Sequence, residues 1–178
     1  LGCSEPAHPA AAPRGGKPLL VLISSDRGLC GGFNTALFRT AEAFVARKGL
    51  ANPVFFAVGR KADDWCRRSR RPLAASLVNV TADLTEERIR EAEDMILRMF
   101  DSGSASEVHL LYNEFRSLMD RRPSCAALFP AAPLPAAGRA RLPAPRCLPG
   151  PASVRDYLLP RCARARIRLA LLESNAAE

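Results

Sequence analysis

Proline placement divides this chain before any other feature is weighed. Of 15 prolines, four fall in residues 1–18 and nine in residues 123–160, and only Pro53 and Pro72 lie between. Proline fixes φ and removes an amide donor, so helix interiors and central strands exclude it. The regular core is therefore expected at residues 19–122, with an irregular head before it and an irregular segment before a last helix. Hydrophobic residues make up 48% of the 178, which is enough to bury a core and excludes wholesale disorder. No apolar run approaches the ~20 residues that a membrane-spanning helix needs. The chain begins at Leu1 with no charged-then-apolar leader, and reads as a fragment or a processed product.

Inside the core, strand and helix patterns alternate. Leu19 to Ile23 and Val54 to Val58 are continuous apolar runs, the pattern of strands buried on both faces. Leu77 to Val80 and Val108 to Tyr112 are further candidates, and Ala126 to Phe129 is a weak fifth. Between them, Phe33, Leu37, Ala41, Phe44 and Val45 form one helical stripe, stopped at Gly49. Ala62, Trp65 and Cys66 stripe a second helix, and Ile89, Ala92, Ile96, Met99 and Phe100 a third. This order predicts an α/β layer fold with a mainly parallel sheet. From Pro123 to Pro151 the chain turns to Ala, Pro and Arg and reads as a loop. A final helix is expected after it, capped by Ser153, interrupted or restarted at Pro160, and running from Arg161 to Glu178.

The segment with most chemical promise follows the first strand: Ser25-Asp26-Arg27-Gly28-Leu29-Cys30-Gly31-Gly32-Phe33-Asn34. Ligands of open α/β sheets bind where strand ends meet helix starts, and glycines there let a backbone approach a phosphate. The segment fits neither G-x-G-x-x-G nor a Walker loop, so a tight turn competes with a phosphate cradle. Cys30 near Arg27 could be a nucleophile, but no base follows it. The six cysteines include no C-x-x-C, and neither His8 nor His109 adjoins one, which argues against structural zinc. Asp63 and Asp64 match the positive end of their helix better than a metal. His109 lies in an apolar strand, and Arg67 to Arg71 read as a solvated basic edge. The net charge of +8 is uneven: residues 139–178 hold 8 basic and 3 acidic residues, so +5 of it lies there. A basic nucleic-acid module is the reading that this skew would suggest, and strongly salt-dependent RNA binding would be its mark.

Four collinear segments resemble the gamma chain of F-type ATP synthase. They are the turn Ser25 to Asn34, then Val58-Gly59-Arg60-Lys61-Ala62, then the strand Glu107 to Ser117 with its Y-N-x-F-x-S ending. The fourth is Leu158-Leu159-Pro160-Arg161 together with Leu171 to Glu178. The resemblance implies a Rossmann-like central domain flanked by long helices that wind into a coiled coil. It implies a rotor that transmits rotation between the membrane c ring and the hexamer of alpha and beta chains, and that binds the epsilon chain. It implies no cofactor, no catalytic set of its own, no nucleic acid, and membrane contact only through the c ring. The location implied is the cytoplasmic face of the cell membrane. Ser25, Asp26, Arg27, Gly28, Gly31, Gly32 and Asn34 then form a structural motif turn, and Leu172, Glu173, Ser174, Ala177 and Glu178 belong to the rotor-helix motif.

The expected organisation is an irregular head at 1–17, a Rossmann-like domain at 18–129, a Pro/Ala/Arg-rich connector at 130–152 and the start of the rotor helix at 153–178. The family's N-terminal helix should precede Leu19, and its acidic-residue-then-proline signature has no clear counterpart in Cys147 to Ala152. No two cysteines lie close enough to match the plant dithiol. A truncated gamma chain is therefore expected, whose last helix spans about 27 Å and cannot serve as a shaft. The alternative is a small phosphate- or nucleotide-binding α/β protein that uses the Asp26–Asn34 turn.

Overall fold

The computed structural model describes residues 15–28, 30–117, 120–130, 148 and 150–178. The head expected at 1–17 and the connector at 130–152 lie mostly outside these residues. The elements are β1 (Lys17–Ile23), α1 (Phe33–Lys48), β2 (Val54–Val58), α2 (Arg60–Arg68) and β3 (Leu73–Leu77), then α3 (Glu86–Asp101), β4 (Ala105–Phe115), β5 (Arg121–Phe129) and α4 (Pro151–Ala177). The sheet runs β3-β2-β1-β4-β5. Its first four strands are parallel, and β5 closes the edge antiparallel to β4.

Period-two alternation along the strands builds two separate cores. Leu19, Val21 and Ile23 of β1, with Phe56 and Val58 of β2, pack under α3 and α4. Leu20, Leu22, Phe55 and Ala57 face the other way, under α1 and α2. Helices on both faces explain why Leu19 to Ile23 of β1 and all of β2 are apolar at every position rather than at alternate ones.

Three expectations need correction. The third strand lies at Leu73–Leu77, not Leu77 to Val80. Parallel pairing aligns Leu77 with Val58, where β2 ends, so the sheet runs out there. The chain then turns at Asn79 (φ 62°), and Val80 is buried in the core without being in a strand. The stretch opened by Pro123 begins as strand β5, not as a loop. Pro123 is tolerated because β5 is an edge strand, where a missing amide donor need not break a ladder. Finally, α4 starts at Pro151, with Gly150 rather than Ser153 as its N-cap, and runs unbroken through Pro160. Proline suits the first helical position, whereas Pro160 forfeits one intrahelical bond. Tertiary packing carries the helix past it: Ala163, Ile167, Ala170 and Leu171 are all buried.

The arginines of α4 grip α3. Glu93 of α3 is only 3% exposed. It receives Arg164 Nη1 at 3.2 Å and Arg168 Nε at 3.3 Å. Arg164 also meets Asp94 at 2.6 Å, and Arg168 takes both oxygens of Glu86 at 2.7 and 2.9 Å. Two of the arginines behind the basic skew of the C-terminal segment are thus engaged inside the fold. No helix among the described residues is long and apolar enough to cross a membrane.

Candidate functional site

The connection from β1 to α1 crosses the C-terminal edge of the parallel sheet. Here β1 has β2 on one side and β4 on the other, the switch point at which open α/β sheets form a crevice. Asp26 organises this edge. Its Oδ1 accepts the amides of Arg60 at 2.8 Å and Asn79 at 2.7 Å. Its Oδ2 accepts the Thr81 amide and hydroxyl, each at 2.8 Å, and the Ala82 amide at 3.2 Å. One carboxylate therefore ties together the chain leaving β1, β2 and β3. Burial alone would push its carboxyl up; the hydrogen bonds from Asn79, Thr81, Arg60 and Ala82 outweigh that and hold it below the ordinary aspartate range.

The neighbouring motif residues also bond inward. Ser24 Oγ accepts the Ala62 amide at 2.8 Å. Asn34, in the first turn of α1, reaches back: its Oδ1 accepts the Ser25 amide at 3.1 Å and its Nδ2 donates to Ser25 Oγ at 2.8 Å. Ser25 Oγ in turn donates to the Arg27 carbonyl at 3.0 Å. Gly59, at φ 95°, lies so close to Ser24 that a Cβ there would collide with the Ser24 carbonyl. Gly31 needs its freedom for φ 55°, whereas Gly28 and Gly32 have no positive φ. Leu29 lies outside the described residues.

The last turns of α4 come to the same edge. Ser174 Oγ donates to the Ile23 carbonyl at 3.3 Å, and Ala177 is fully buried. Glu178 Oε1 lies 3.9 Å from Cys30 Sγ, and burial pushes its carboxyl up, with Arg27 opposing. Glu173 is half-buried with one oxygen unpartnered among the described residues; burial, aided by Glu114, raises it too. Leu172 faces solvent at 47% exposure. The structure thus brings the Ser25–Asn34 turn and part of the Leu172–Glu178 segment together, with α4 over the end of β1, where a crevice ligand would sit.

Other candidates go elsewhere. His109 Nε2 sits 2.9 Å from Glu107, and its ring packs edge-on against Phe44. Asp63 pairs with Arg67 at 2.7 Å and Arg71 with Glu42 at 3.0 Å. Burial pushes the Cys66 thiol up to about 12 and that of Cys125 to about 11. No group of three or more His, Cys, Asp or Glu is placed to hold a metal among the described residues. Sequence reasoning missed Thr81, Asn79 and Glu93; an acid inside the apolar stripe of α3 was the one available signal, for Glu93.

Comparison with known proteins places the chain in a family. The chain matches the family described as ATP synthase over residues 3–178. It belongs to the ATP synthase family. Among relatives, it is 33% identical to the ATP synthase gamma chain of Chlorobaculum tepidum, across 90% of this chain and 56% of that protein. It is also 33% identical to the gamma chain of Salinispora arenicola, across 96% of this chain and 62% of that one. The chain thus spans between 56% and 62% of the length of these relatives. Among solved structures, it superposes on a chain of the central stalk and c ring of Tetrahymena thermophila mitochondrial ATP synthase. The TM-score is 0.66 at 21% identity, covering 90% of this chain and 70% of that one. A rotor chain of Euglena gracilis mitochondrial ATP synthase gives 0.61 at 16% identity, covering 91% and 62%. At those identities the structures show the shared fold. Family membership favours the rotor reading over a small phosphate-binding protein.

Proposed function

We propose that this chain serves in the central rotor of the F-type ATP synthase, transmitting rotation between a membrane c ring and a hexamer of alpha and beta chains. The observation that carries this reading is the match to gamma chains along 90% and more of these residues. In this reading covalent chemistry belongs to the alpha and beta chains, and this chain performs none. The epsilon chain and the c ring are its further partners, at the cytoplasmic face of the membrane. The unit at 18–129 is the globular head, and the α4 segment belongs to the rotor helix.

Ser25, Asp26, Arg27, Gly28, Gly31, Gly32 and Asn34 act as a brace in this reading, since Asn34 and Ser25 bond each other within the turn and Asp26 ties it to the chain leaving β2 and β3. Leu172, Glu173, Ser174, Ala177 and Glu178 divide between two tasks: Ser174 and Ala177 hold the head, and Leu172 faces outward. Leu169 is 52% exposed beside it, so α4 offers an apolar strip to a neighbouring helix.

A chimera tests the proposal. The matching segment of the Chlorobaculum tepidum gamma chain is replaced by this chain, and the complex is assembled with its cognate subunits. Inverted vesicles should pump protons on ATP addition at a substantial fraction of the parental rate. Failure of the chimera to assemble with alpha and beta chains, while the parental chain does, would overturn the reading.

A further inference from the structure

Asn113 on β4 is 2% exposed, and its amide nitrogen has no hydrogen-bond partner among the described residues. Buried donors in native proteins are almost always satisfied, so this nitrogen calls for an acceptor from outside the described chain. Alternation along β4 points Asn113 towards α1, on the same face as His109 and Leu111. It lines a cavity of about 390 Å³ with the first residues of α1 and with Arg121 and Pro123 of β5.

Two further features of this cavity favour negative charge. The N-terminus of α1 has no side-chain cap at Gly32 and no acidic residue in its first turn. That of α3 has both, with Thr85 as cap and Glu86 and Glu87 after it. The partial positive charge at the start of α1 is therefore uncompensated. Arg121 is exposed and makes no ion pair among the described residues, whereas Arg122 beside it pairs with Asp120. Glu178 approaches Cys30 at 3.9 Å but does not line this cavity.

We infer that this cavity is a binding site for a carboxylate on a short aliphatic stem. A helix N-terminus and one guanidinium supply about one and a half positive charges, which suit a monoanion better than a phosphate dianion. The planar fork of Arg121 matches a carboxylate's two oxygens, and the Asn113 amide donates to one of them. Phe33, Ala36 and Pro123 line the cavity beside the polar groups and take the stem. A free small acid and a glutamate side chain of a partner share this chemistry. The inference does not depend on the rotor reading.

Nitrogen-15 NMR on the 178-residue chain tests it, at constant ionic strength, with propionate, the peptide Ac-Ala-Glu-Ala-NH2 and inorganic phosphate as probes. Propionate or the peptide should shift the Asn113 side-chain amide and the backbone amides of Asn34 and Thr35 in a saturable way. Tighter binding of the peptide assigns the site to a protein side chain; tighter binding of propionate assigns it to a free acid. Arg121→Glu, on an exposed edge, should keep the fold and weaken binding at least tenfold. Asn113→Leu should abolish it. No saturable shift, shifts unchanged in Arg121→Glu, or tighter binding of phosphate than of either carboxylate each overturns the inference.

Discussion

Asp26 and Thr81 exchange hydrogen bonds in both directions across 55 residues of chain: the Asp26 amide donates to Thr81 Oγ1 at 2.9 Å, and that hydroxyl donates to Asp26 Oδ2 at 2.8 Å. The Asp26 carboxylate serves three further backbone amides besides that of Thr81, so it anchors a loop that has no ladder of its own. Asp26→Asn replaces one acceptor oxygen by a donor that faces amides. It should cost about 2–4 kcal/mol in urea denaturation at pH 7. Thr81→Val removes only the hydroxyl and should cost about 1–2 kcal/mol.

The same carboxylate predicts a pH dependence. Its folded pKa lies below the ordinary value of 3.8. Its contribution is therefore present above that value and is lost as pH falls through the lower folded pKa. The stability gap between the native chain and Asp26→Asn should be constant near neutrality and shrink from about pH 4 downward. A gap that persists unchanged at pH 2 would contradict the assignment.

Glycine replacements should separate two kinds of need. Gly59→Ala combines a positive φ with a collision against the Ser24 carbonyl, and should cost well over ~2 kcal/mol or prevent folding. Gly31→Ala meets open space and only the backbone penalty, about 1–2 kcal/mol. Thermal unfolding followed by circular dichroism ranks the two; equal losses would refute the distinction.

The α3–α4 clamp should be non-additive. Arg164→Ala leaves Glu93 with Arg168, and Arg168→Ala leaves it with Arg164. The double variant strands a buried carboxylate, and should cost about 3–5 kcal/mol, more than the sum of the single losses. Adding Glu93→Leu to the double variant should recover part of that, because an apolar side chain needs no partner.

Leu169 and Leu172 should matter to assembly and not to the fold of this chain. Leu169→Gln with Leu172→Gln should change stability by less than ~0.5 kcal/mol per site. In the chimera described above, the same pair should lower the yield of assembled complex. An unchanged yield would remove this strip from the proposed helix contact.

Much of the architecture was legible because burial on both faces leaves a mark on every residue from Leu19 to Ile23 and throughout β2. The sequence motif also pointed to Asp26 and Asn34. Their partners were not legible, because Asp26 is held mostly by backbone amides, which every residue but proline carries. Leu77 to Val80 looked like a strand from its apolar residues, but strand ends are set by the length of the neighbouring strand. Pro160 looked like a break because proline's cost is local and visible, whereas the burial of Ile167 and Leu171 that offsets it is tertiary. Asn113 sat within a recognised motif, yet nothing in the letters shows that its nitrogen lacks a partner.

The attachment of α4 has a mechanical consequence. The helix is held to α3 through Arg164 and Arg168, and to the end of β1 through Ser174. The ten residues from Arg164 to Ser174 put these holds about 15 Å apart along the axis. A single hold would let a helix swivel, but two holds on different elements resist it. In the proposed rotor, twist applied to α4 would turn the sheet with it, and elastic give would have to reside outside this joint.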